Sequence, residues 1–145
     1  MRTFLLFLSL FLCSGPAAAD GRLNGSDVAE IRAVIHRQIE ALRRDDARGA
    51  FALVAPGAQE AYGTPERFLD TIRTSYQAVY RPSAVAFLDL VVMGDEVVQP
   101  VQLTERSGAR IAAVWVAYYA MQRQRDGAWR VNGCRLVQPS RTISA

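Results

Sequence analysis

The chain has 145 residues and a mass of 16.0 kDa, half of them hydrophobic and about a fifth charged. That is enough for one compact domain, and it excludes disordered, collagen-like and repeat architectures. All the basic charge is arginine, 17 residues against 14 acids, with no lysine. Schiff-base chemistry and a P-loop nucleotide site are therefore excluded. One histidine (His36) and two cysteines (Cys13, Cys134) are too few for a zinc enzyme. No metal and no cofactor is expected.

The chain opens with Met1-Arg2, an apolar run from Thr3 to Cys13, Pro16, and the small residues Ala17-Ala18-Ala19. This order predicts a secretory signal peptide over residues 1–19, cleaved after Ala19, and a periplasmic or secreted product. The run is too short for a stable membrane span. In the mature chain arginines and acids nearly balance, as in Arg43-Arg44-Asp45-Asp46, so no nucleic-acid partner is expected. Cys134 becomes the lone thiol, either a small buried hydrophobe or the site of an intermolecular disulfide.

Residues 20–25 read as a flexible leader, 26–138 as a single domain and 139–145 as a polar tail. Asn24-Gly25-Ser26 fits a glycosylation sequon. Ser26 or Asp27 caps a first helix running to about Arg44, with Asp27 and Glu30 in a capping-box spacing. Its apolar stripe is Val28, Ile31, Val34, Ile35, Ile39 and Leu42, and His36 falls off that stripe. Asp45-Asp46 caps a second helix, Ala47 to Val54, which Pro56-Gly57 ends. Thr64-Pro65-Glu66 starts a third, which carries Phe68, Leu69, Ile72, Tyr76 and Val79 and stops at Arg81-Pro82.

Beyond Pro82 the period changes to that of strands. Ser83–Met93, Glu96–Glu105, Arg110–Gln124 and Ala128–Gln138 read as four strands joined by turns at Gly94-Asp95, Ser107-Gly108 and Asp126-Gly127. Pro100 demotes the second strand to an edge or marks a bulge. The fold class is α+β: three helices on one face of a curved four-stranded antiparallel sheet. The long strand is apolar on both sides, with Trp115, Ala117 and Tyr119 pointing one way and Val114, Val116 and Tyr118 the other. Helices cover only one face, so a homodimer through the other is expected.

Helices followed by a bent sheet ending in Asp126-Gly127-Ala128-Trp129-Arg130-Val131 resemble the nuclear-transport-factor-2-like superfamily, which includes ketosteroid isomerases and SnoaL-like cyclases. More closely, Ile31–Ala50, Gly63-Thr64-Pro65-Glu66-Arg67-Phe68, Tyr80-Arg81-Pro82 and Trp129-Arg130-Val131-Asn132-Gly133 resemble a family of small secreted bacterial proteins, a domain of unknown function. The resemblance spans about Val28 to Val137. It implies a cone-shaped domain with a pocket between helices and sheet, and frequent dimers, but no particular activity.

The isomerase pattern needs a carboxylate base and a tyrosine in an apolar cavity. The first helix has no tyrosine, which leaves Asp89, sharing a strand face with Val85, Phe87 and Val91, and His36 as the catalytic candidates. The ligand-binding candidates are Tyr62, Arg67, Tyr76, Tyr80, Trp115, Tyr118, Tyr119 and Arg135. A two-residue loop at Asp126-Gly127 would pair Tyr118 with Arg135, Ala120 with Gly133 and Arg123 with Arg130. Two functions fit: an exported binding or accessory module of the cell envelope holding a small molecule, or a cofactor-free isomerase, lyase or hydrolase using a buried carboxylate and a pocket tyrosine.

Overall fold

A computed structural model describes residues 22–139. The expected signal peptide, its cleavage site, Cys13 and the polar tail from residue 140 lie outside the described residues.

Helix α1 (Gly25–Arg43) begins earlier than expected because Asn24 is its cap. The Asn24 side chain accepts the Asp27 N–H, and the Asp27 carboxylate accepts the Asn24 N–H, both at 3.0 Å. Asp27 therefore closes the capping box instead of opening one with Glu30. The stripe of Ile31, Val34, Ile35, Ile39 and Leu42 is buried as its spacing requires, and His36 is exposed.

Among the described residues, five helical segments replace the expected three. Helix α2 (Ala47–Phe51) is capped by Asp46, while Asp45 turns the chain at φ 54°. It ends short of Val54 because the next residues run parallel to the last strand. The Val131 N–H donates to the Leu53 carbonyl and the Ala55 N–H to the Val131 carbonyl, both at 2.8 Å. Pro56 does not end α2 but opens α3 (Pro56–Tyr62) as a first-turn proline. Gly63, at φ 85°, ends α3 in a conformation open to glycine. Thr64 caps α4 (Pro65–Ser75) as expected. Tyr76, at φ −130° and ψ 48°, separates α4 from α5 (Gln77–Tyr80), which had read as one helix.

The antiparallel sheet has five strands: β1 (Ala84–Phe87), β2 (Val91–Met93), β3 (Glu96–Ser107), β4 (Arg110–Arg123) and β5 (Trp129–Val137). The order is β1-β3-β4-β5, with β2 beside β1 on the same edge of β3. The expected single strand 83–93 is broken by Pro100, which is inside β3 and not on an edge strand. The Pro100 carbonyl accepts the Leu88 N–H at 3.0 Å, but proline has no N–H to return, and the ladder stops there. The buried Gln99 amide seals the gap, donating to the Leu88 and Pro100 carbonyls at 2.7 Å.

The last hairpin departs from expectation twice. Its loop is one residue longer than two, since Gln124 and not Arg125 meets Ala128 (N···O 2.8 Å). Asn132 then bulges from β5 opposite the Ala120–Met121 step and restores the register. Tyr118 accordingly faces Arg135 and Ala120 faces Gly133, whereas Arg123 faces Trp129 and not Arg130.

Val97, Val101, Leu103, Ala117, Tyr119, Met121, Trp129 and Val131 cover one sheet face and share one core with the buried faces of the helices. A clamp closes this end of the domain. The Trp129 Nε1–H donates to Asp27 at 3.3 Å, and Arg123 pairs with Asp27 at 2.5 Å while stacking 4.8 Å over the indole. The hydrogen bond from the Asn24 backbone, aided by Arg123 and Trp129, holds the Asp27 carboxyl below the usual carboxylate range. A depressed folded-state pKa stabilises the fold above the unfolded value and ceases to do so as pH falls through the folded one. Asp27→Asn should therefore destabilise the domain by about 1 kcal/mol at pH 7, a half-exposed arginine limiting the effect. Urea unfolding of both proteins from pH 7 to pH 3 should show that gap closing in acid.

Candidate functional site

A partly open cavity of about 50 Å³ lies between the helices and the last two strands. Gln38 and Leu42 of α1, Ala58 and Tyr62 of α3, and Phe68 and Ile72 of α4 form its helical wall, with Tyr76 and Val79 beside them. Tyr119 of β4 and Val131–Cys134 of β5 form the opposite wall. The Gly63–Thr64 corner sets the helical side, seating Tyr62 edge-on against Phe68 at 5.0 Å. Strand register sets the other, because Tyr119 and Cys134 are directly opposed on the helix-facing side of the sheet.

Among the described residues, Tyr119 Oη is the one buried side-chain oxygen or nitrogen with no hydrogen-bond partner. Desolvation pushes the Tyr119 phenol well above its ordinary value and the Cys134 thiol up to about 12. Burial also raises Tyr62, helped by nearby Tyr76 and Cys134. At neutral pH these groups keep their protons, so they donate hydrogen bonds and do not act as bases. Among the described residues, no carboxylate, imidazole or guanidinium lines the cavity.

Of the residues expected to bind a ligand, Tyr62, Tyr76 and Tyr119 meet here and the other five do not. The Tyr80 hydroxyl donates to Asp45, and its ring stacks on Arg81 at 4.7 Å, pinning α5 to the α1–α2 turn. Arg67 is exposed on the first turn of α4. Trp115 faces the helix side but donates to Glu105 at 3.2 Å, away from the cavity. Tyr118 and Arg135 stack at 5.4 Å on the outer sheet face. Of the catalytic candidates, Asp89 is exposed in the break between β1 and β2, not on a strand face, and His36 is exposed on α1. Sequence reasoning passed over Gln38 and Asn132. Gln38, whose amide donates to the Ala50 carbonyl at 3.3 Å, interrupts an apolar stripe and could have been found. Asn132 depends on a bulge that no letter marks.

A family profile described as a domain of unknown function, DUF4864, matches residues 24–143. The chain belongs to this family. The sequence matches none of the curated proteins compared with it. Among solved structures, the DUF4864 chain is similar to a cystatin-like-fold protein of unknown function from Nostoc punctiforme. That match has a TM-score of 0.58 and 13% identity, covering 82% of this chain and 96% of the other. A ketosteroid isomerase-like protein from Erwinia carotovora atroseptica gives a TM-score of 0.52 at 14% identity, covering 81% and 99%. An NTF2-like-family protein from Streptomyces avermitilis gives 0.50 at 17%, covering 79% and 97%. These likenesses establish an NTF2-like α+β fold and leave activity open.

Two outcomes follow from the cavity. At pH 8.5 the Cys134 thiol should react with a disulfide reagent at least about a hundredfold more slowly in the folded than in the urea-unfolded protein. Tyr119→Phe, which deletes an unpaired buried hydroxyl, should leave the empty protein as stable as before or up to about 1 kcal/mol more stable in thermal unfolding.

Proposed function

We propose that this domain is a non-catalytic binding module that seats a small molecule between α3, α4 and the β4–β5 hairpin. The observation that carries the reading is the Tyr119 hydroxyl, buried with no protein partner on a residue that lines the cavity. Leaving such a group unpaired costs about 1–3 kcal/mol, and a guest with an acceptor atom removes that cost. A carboxylate-based enzyme reading lacks its base, since the acid expected to serve is exposed and outside the cavity.

The module acts outside the cytoplasm. The charged start, short apolar run and Ala-Ala-Ala triplet support this. A second copy of the chain covers the outer sheet face. Supporting it are Val91, Met93 and Val137, which are 41%, 60% and 38% exposed there, beside half-buried Val114, Val116 and Tyr118.

The exported protein should begin at Asp20 and carry a small-molecule adduct in native mass spectrometry that Tyr119→Phe weakens. Retention of Met1 contradicts the export, and an adduct-free protein that binds nothing from its host's periplasmic extract contradicts the binding. In sedimentation at micromolar concentration, Tyr118→Arg should give a folded monomer, whereas Trp115→Arg should lose stability. A wild-type monomer removes the dimer.

A further inference from the structure

We infer that the cavity is selective for charge: it takes an uncharged, largely aliphatic molecule bearing one carbonyl-type oxygen and rejects the carboxylate of the same skeleton. This rests on the binding reading above and names the class of ligand.

The wall is built from apolar side chains and a few neutral donors and, among the described residues, holds no cation to meet an anion. Charged groups on the neighbouring elements are engaged elsewhere or face solvent. Arg81 pairs with Asp45 at 2.8 Å, Arg43 with Glu40 and Arg123 with Asp27, both at 2.5 Å, and the Arg67 side chain is exposed. Burying an ionised carboxylate without such a partner is far costlier than burying a hydrogen-bonded carbonyl. The same desolvation already disfavours the anionic forms of Tyr62, Tyr119 and Cys134, which face the cavity from α3, β4 and β5. Size narrows the class further. An apolar cavity of about 150 Å³ admits benzene. The 50 Å³ enclosed here is a third of that, so only the oxygen end of a small ring or short chain enters toward Tyr119, the rest of the molecule lying in the cavity's open mouth.

Three matched probes test this on the exported protein: cyclopentanone, cyclopentane and cyclopentanecarboxylate, each titrated while the methyl signals of Val54 and Val131 are followed by NMR. Cyclopentanone should bind at pH 7 at least tenfold more tightly than the carboxylate. The acid should gain at least tenfold between pH 7 and pH 5 as its neutral form appears. Tyr119→Phe should weaken the ketone about fivefold, the worth of one ordinary hydrogen bond, and leave cyclopentane unchanged. A carboxylate bound at pH 7 as tightly as the ketone overturns the charge selectivity while leaving the binding reading intact, as does a carboxylate affinity that does not rise in acid. A ketone affinity indifferent to Tyr119→Phe overturns the role of the hydroxyl. If none of the three moves these signals, the binding reading falls and this inference with it.

Discussion

One extra residue in β5 governs much of this structure. Asn132 bulges opposite the Ala120–Met121 step, so Val131 and Trp129 follow a register one residue away from that of Gly133 and Arg135. The shift sets Trp129 against Arg123, where both reach Asp27 at the start of α1. It also occurs where the other edge of Val131 accepts the chain between α2 and α3. Sheet, first helix and helical wall thus meet at two neighbouring residues. A bulge bends its strand and sharpens the twist, which is what wrapping a sheet around a helix requires.

The cavity sits just beyond that junction, and its chemistry is sparse. An interior of this kind is ordinarily filled with apolar side chains, and buried polar groups ordinarily find partners. Here Gln99 and Gln38 do find them, on the Leu88, Pro100 and Ala50 carbonyls. Tyr119, opposite Gln99 on the next strand, does not. With its hydroxyl, the Cys134 thiol and the Tyr62 phenol all protonated at neutral pH, the site can orient an acceptor and has nothing that abstracts a proton. The proposed binding role draws on the donors in this set of groups.

Much of the fold was legible in the sequence because its signals are local. The α1 stripe, the Thr64-Pro65 start and the switch from helical to strand period each follow from side-chain spacing. What was missed turns on competition between neighbours. Pro56 reads equally as a stop and as a first-turn residue, and the parallel pairing of Val54 with Val131 decides between them. Pro100 marks its own strand in the sequence, yet the strand its missing N–H interrupts is the partner, at Leu88, while β3 runs on. In the hairpin two one-residue deviations cancel beyond the bulge, so Tyr118 over Arg135 was correct and Arg123 over Arg130 was not. At the site, the tyrosines stood out as a class, but only register and helix corners separate Tyr62, Tyr76 and Tyr119 from Tyr80 and Tyr118. Asp89 shares a face with Val85, Phe87 and Val91 only if residues 83–93 form one unbroken strand, and the chain leaves the strand between Phe87 and Val91.

The central claim is that the Tyr119 hydroxyl waits for an acceptor from outside the chain. A high-resolution crystal structure of the protein isolated from its exporting host tests it most directly. The account predicts a guest in the cavity with an oxygen about 2.5–3.0 Å from Tyr119 Oη. A cavity closed by repacked side chains, with that hydroxyl bonded to a group of the protein itself, would contradict it.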